Sequence, residues 1–144
     1  MKKLTLLILV FTATFAFGQK EDFKNMPVPE GKAIIYLVRP EIVGSKIKMV
    51  VTLNGADWGM TKAKNYLYKI VEPGEYKIGW KVSSKAPEPL LIVAKPNTKY
   101  YVLQNVRMPL IGWHAVCEFE AIPMEKGEEK LKKCKLGKLF TAAQ

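Results

Sequence analysis

The sequence predicts an all-β domain: an antiparallel β-sandwich of the immunoglobulin-like or transthyretin-like kind, with about seven or eight strands and one short C-terminal helix. Three observations carry this expectation. From Lys32 onward, short apolar runs rich in Val, Ile and Tyr recur at the spacing of sandwich strands. Turn-forming pairs, Asn54-Gly55 and Pro73-Gly74, punctuate the runs. Only one later segment, MEKGEEKLKKCKLG at 124–137, abandons the two-residue period for a helical one.

The elements follow in order. Residues 32–39, KAIIYLVR, are apolar on both faces, which suits a central strand covered above and below. Strands at 47–53 and 57–61 flank Asn54-Gly55, a pair that supplies the two positive-φ positions of a type I′ hairpin and makes them antiparallel neighbours. Pro73-Gly74 predicts a second hairpin, of 65–71 with 75–83. In its second arm Tyr76, Ile78, Trp80 and Val82 share one face and read as core, while Lys77, Gly79 and Lys81 share the other. Strands at 89–95, 99–106 and 114–122 complete the set, with the turn KPNT at 95–98. In the helix, Glu128 and Glu129 each precede a lysine by four residues, and Gly137 can end it. Its apolar stripe is thin, only Leu131 and Cys134 with Leu139 and Phe140 beyond, so it should lie on the sandwich surface.

Ahead of the strands, MKKLTLLILVFTATFAFGQ places two lysines before an apolar run and small residues, Ala16 and Gly18, before Gln19. This pattern reads as a secretory signal peptide at 1–18. Residues 19–31, polar with two prolines, read as a flexible arm, and 32–138 as the sandwich with its helix. The expected address is therefore the periplasm, the cell envelope or the exterior. No later stretch is apolar for the roughly 20 residues that a spanning helix needs, so the mature chain is expected to carry no transmembrane segment. The whole chain bears a formal charge of +10, and residues 125–138 alone hold six lysines against three glutamates. For an exported protein such a balance favours anionic lipid or acidic polysaccharide; no motif points to nucleic acid.

The residue inventory argues against catalysis. There is one histidine, His114, and no metal-ligand spacing, nucleophile elbow or phosphate-cradling glycine loop occurs. Glu118 and Glu120 share a strand face, yet they read more simply as the solvated side of VCEFEAI. No catalytic residue, cofactor or metal is expected.

Two features stand apart. Cys117 and Cys134 form an even pair in an oxidising compartment, so a disulfide that staples the helix to the last strand is one reading. A buried thiol at Cys117, which shares its face with Ala115 and Phe119, is the other. The connection RMPLIGW at 107–113 is apolar where strand connections are ordinarily polar. Arg107, Met108, Leu110, Ile111 and Trp113 form either a contact patch or a lid folded over one end of the sandwich.

The order GKAIIYLVRP, a strand ending in Leu-Asn-Gly, the Pro-Gly turn with Tyr76, NTKYYV and finally EKLKKCKLG resembles the bacterial domain-of-unknown-function family 2846 over about residues 31–137. The combination of Tyr-x-x-Arg-Pro near the start with Lys-Lys-Cys-Lys near the end is the more telling part. The resemblance implies an exported β-sandwich, often lipid-anchored, with no established activity; this chain lacks the lipid-attachment cysteine. Together these readings point to a non-enzymatic binding or accessory module of the bacterial envelope, acting on a protein or other envelope component. The alternative is peripheral attachment to anionic lipid or polysaccharide through the lysine-rich helix and the 107–113 loop.

Overall fold

A computed structural model describes residues 22–42, 46–82, 87–108 and 115–140. The strands among them are β1 (Ala33–Arg39), β2 (Met49–Leu53), β3 (Ala56–Thr61), β4 (Asn65–Val71), β5 (Gly74–Trp80), β6 (Leu90–Ala94), β7 (Thr98–Arg107), β8 (Val116–Ile122), β9 (Lys135–Leu136) and β10 (Lys138–Leu139); helix α1 is Met124–Lys132. Two five-stranded sheets face each other, one in the order β8-β7-β1-β4-β9 and the other β10-β3-β2-β5-β6. Each of the eight expected strands has a counterpart in β1 to β8, while β9 and β10 are two short strands not expected; positions 83 and 114, an expected end and start, lie outside the described residues.

Strand β1 organises the first sheet. All seven of its residues are buried, as a strand apolar on both faces requires. It pairs antiparallel with β4 and parallel with β7, so the first sheet is mixed rather than purely antiparallel. Ala33, Ile35 and Leu37 point inward and meet Val51, Leu53, Trp58, Ile78 and Ile92 of the second sheet. Ile34, Tyr36 and Val38 point outward and pack with Tyr66, Tyr101 and Leu103 under the side chains of Leu131 and Cys134. The expected inner face of β5 is the right one, but burial centres on Ile78; Tyr76 and Trp80 are half-buried.

The structure corrects several local expectations. Residues 22–31 are not a free arm, because Met26 and Val28 pack against the outer face of the first sheet and Phe23 stacks on Tyr68 with ring centroids 4.8 Å apart. Asp22 begins this strap by accepting a hydrogen bond from Lys24 N, and Tyr36 Oη donates to the Phe23 carbonyl at 2.6 Å. The reason is that the thin stripe of α1 cannot by itself cover the outward apolar residues of β1 and β4. Residues 1–21, with the signal-peptide reading, lie outside the described residues.

Asn54 and Gly55 do adopt the positive φ values, 51° and 81°, that join β2 to β3. Pro73-Gly74, by contrast, does not make a hairpin: β4 belongs to the first sheet and β5 to the second, so this turn carries the chain across the core. A turn signal specifies reversal of direction, not the sheet in which the next strand finds its partner. Gly137 likewise does not end the helix, which stops at Lys132. It lies between β9 and β10, where a Cβ atom would stand 2.9 Å from the Met60 carbonyl oxygen.

Gly127 explains how α1 seats. A Cβ there would fall 2.2 Å from Cγ of Tyr101, so the glycine that weakens the helix is what lets it lie flat on the Tyr101 ring. Gly127→Ala should therefore cost about 1–3 kcal/mol by overpacking, although alanine is the better helix former. The Tyr101 hydroxyl is buried with no hydrogen-bond partner among the described residues, so Tyr101→Phe should stabilise the domain by about 1 kcal/mol. Thermal melting of both variants checks the pair, and a Gly127→Ala variant that melted higher than the parent would contradict this account of the contact.

Candidate functional site at the loop end of the sandwich

Register places the longer connections at one end. β1 and β7 run parallel, so the connections that follow Arg39 and Arg107 leave from the same side. Met49 opposite Thr61, Arg39 opposite Asn65, Val51 opposite Trp80 and Arg107 opposite Val116 bring the remaining connections to that end. In sandwiches, residues on such connections are held by a rigid scaffold and carry recognition.

Beneath this end lies a buried polar cluster. Arg39 ends β1 on the inward face and is only 1% exposed. Its Nη1 donates to the carbonyl oxygens of Ile47, at 2.9 Å, and Thr61, at 3.1 Å. Burial lowers its pKa from the ordinary value, partly opposed by the Cys117 thiol. Thr61 Oγ1 hydrogen-bonds Gln104 Oε1 at 2.7 Å, and the Gln104 amide donates to Met49 Sδ at 3.7 Å and Cys117 Sγ at 3.4 Å. These bonds reach from β1 and β7 in one sheet to β3 and the approach to β2 in the other, so the cluster clamps the sheets where the connections emerge. In the sequence Arg39 stands out only within the Tyr-x-x-Arg-Pro run, and nothing marks Thr61 or Gln104. The available signal was Arg39 itself, a charge in phase with Ala33, Ile35 and Leu37 on a strand otherwise wholly apolar.

Of the two readings of the cysteines, the structure shows the buried thiols and no bridge. Cys117 packs with Met49 and Val106 between the sheets, whereas Cys134 packs with Tyr36 and Leu131 on the outer face, so the first sheet separates them. Burial pushes the Cys117 thiol up to about 11, against the smaller opposing effects of the Gln104 hydrogen bond and the Arg39 charge. The Cys134 thiol is raised as well, again chiefly by burial. Both are thiols in the neutral form at physiological pH, which suits packing rather than nucleophilic chemistry.

Of the expected contact residues, Arg107 and Met108 are exposed, and Met108 shows half of its surface. Arg107 Nη2 forms an ion pair with Glu118 Oε1 at 2.6 Å across the β7–β8 pair. Leu110, Ile111, Trp113 and His114 lie outside the described residues. Glu118 and Glu120 face outward and are exposed, Glu118 held by Arg107. A cleft of ≈ 240 Å³ opens between β5, β6 and β8, lined by Trp80, Leu90, Phe119 and Cys117. Among the described residues, no group of three or more His, Cys, Asp or Glu could hold a metal, and no helix is long and apolar enough to cross a membrane.

The surface of the loop end is basic. Lys46 and Lys48 precede β2, Lys62 and Lys64 occupy the β3–β4 turn, and Lys132, Lys133 and Lys135 close α1 and open β9; all are exposed. The Lys135 amide donates to the Lys64 carbonyl at 2.8 Å, which holds two of these segments side by side. Lys24 of the strap reaches the Lys132 carbonyl at 3.5 Å.

A family model described as protein of unknown function (DUF2846) matches residues 29–116. The chain belongs to that family. The match runs from the end of the strap through β7 to the first residue of β8, so it includes Arg39, Thr61, Gln104, Arg107 and Met108, while the lysine-rich helix lies beyond it. No curated protein and no solved structure matches the chain.

Both thiols of the folded chain should resist a water-soluble disulfide reagent near neutral pH and become reactive together on unfolding; a count of none in the denatured, unreduced protein would restore the bridge. Because the Cys117 pKa is higher folded than unfolded, its stabilising contribution is complete below about pH 9 and is lost as pH rises toward about 11. Tyr66 and Tyr101, also raised by burial, act in the same sense from about pH 10. Urea midpoints should therefore fall above pH 9, and less steeply at first in Cys117→Val.

Proposed function

We propose that this DUF2846 protein is a non-enzymatic binding or accessory module of the bacterial envelope, exported by residues 1–18, and that it makes contact through the loop end of its sandwich. The observation that carries the reading is the gathering of exposed Arg107 and Met108 with lysines from four separate segments over the Arg39 clamp. A rigid support beneath exposed connections limits the entropy lost on binding, which is how recognition surfaces on sandwiches gain affinity. The buried, protonated thiols and the ion-paired Glu118 supply no poised nucleophile or base, which favours contact over chemistry. The two facing five-stranded sheets support an immunoglobulin-like or transthyretin-like kind of sandwich.

Two experiments test the reading. N-terminal sequencing of the exported chain should begin at Gln19; a chain retaining Met1 in the cytoplasm would remove the envelope role. A photo-crosslinking residue at Met108 should capture envelope components in living cells, and one at Glu125, at the other end, should not. Adducts from 125 alone, or from neither position, would move the contact surface elsewhere.

A further inference from the structure

We infer that the loop end is a bilayer-docking face, on which Ile42, Met108 and Val116 enter the headgroup boundary while the surrounding lysines rest on anionic headgroups; this deepens the contact reading above and rests on it. These three large apolar side chains are exposed, by 64%, 50% and 40%. They come from two connections far apart in sequence. Parallel pairing of β1 with β7 brings Ile42, three residues past β1, and Met108, one past β7, to the same end, and Val116 stands opposite Arg107 in the register. Apolar side chains near the strand ends combined with a basic surround make the two signals that reversible membrane attachment requires, since neither suffices alone.

Leu136, 40% exposed beside Lys135, stands at this same end, whereas other exposed apolar residues stand away from it. Leu91 and Val93 lie on β6 opposite Lys77 and Glu75, a mixed surface, and Met124 sits at the far end beside Glu125. At the loop end Glu41 beside Ile42, Glu88 and Glu118 are outnumbered by Lys46, Lys48, Lys62, Lys64, Lys132, Lys133 and Lys135, and Glu118 is ion-paired with Arg107 at 2.6 Å. A soluble polysaccharide would use the lysines but has no place for three apolar side chains. A bilayer accepts both, and the Arg39 clamp holds together the two sheets whose ends carry these residues.

The test is co-sedimentation of the mature chain with vesicles of phosphatidylcholine alone or mixed with phosphatidylglycerol, alongside binding to soluble dextran sulfate. The parent should bind the mixed vesicles and not the neutral ones. The triple variant Ile42→Ser, Met108→Ser, Val116→Ser should lose about tenfold in vesicle binding while keeping its dextran sulfate binding. Lys62→Glu with Lys64→Glu should lose about tenfold or more on both. All five positions are exposed or partly exposed at the surface, and the two variants fail or succeed independently. Unchanged vesicle binding by the serine variant, or no vesicle binding by the parent, overturns the bilayer inference. In that event protein adducts from position 108 leave the contact reading standing, whereas their absence removes both.

Discussion

The complete burial of β1 is the constraint on which the rest of the structure depends. A strand paired on both edges has no free hydrogen-bonding side, and its seven buried residues demand cover on both faces. The second sheet covers the inward set. For the outward set the chain recruits two unrelated pieces, helix α1 over Tyr101 and the N-terminal strap over Tyr68, and neither is wide enough to do it alone. The domain is thus layered as helix and strap, mixed sheet, second sheet.

The same strand also sets the polarity of the molecule. Because β7 lies parallel to β1, the chain must cross the whole second sheet between them, and both strands end on one side. Arg39 stands where the inward face of β1 reaches that side. A buried cation is expensive unless its donors are satisfied, and here backbone carbonyls of the opposing sheet accept from it. An alkyl residue would fill the space but would leave the Ile47 and Thr61 carbonyls without this donor, so the charge is better understood as a cross-sheet tie than as a reactive group.

What could be read from sequence divides along physical lines. The strands, the central place of β1 and the Asn54-Gly55 turn depend on local periodicity and φ preference, and these are written in consecutive residues. Pairing across sheets is not. Pro73-Gly74 has the same local chemistry whether β5 returns to β4 or departs for β2, and the choice is made by which neighbour buries Ile78. The choice between the two readings of the cysteines turned on a related point: spacing along the chain says nothing about which side of a sheet each thiol occupies. The strap was misjudged because its polar residues outnumber the few that dock, Phe23, Met26 and Val28. Within the candidate site Arg107 and Met108 were found from their setting in an apolar connection, whereas the clamp beneath them required parity along β1 to be taken as seriously for a charged residue as for an apolar one.

The asymmetry between the two ends follows from these placements. Lysines in the β3–β4 turn, at the end of α1 and before β2 are far apart in sequence, and no window of the chain announces them as one surface. They converge because β4 and β9 run parallel, with Asn65 beside Lys135, which lays the end of the helix segment along the turn that starts β4. Cations at a helix C-terminus are favoured by its dipole. That accounts for the lysines of α1 locally, but not for those at 46, 48, 62 and 64, which gain nothing from the dipole. Their concentration at the end where apolar side chains also stand exposed sets that end apart from the rest of the described surface.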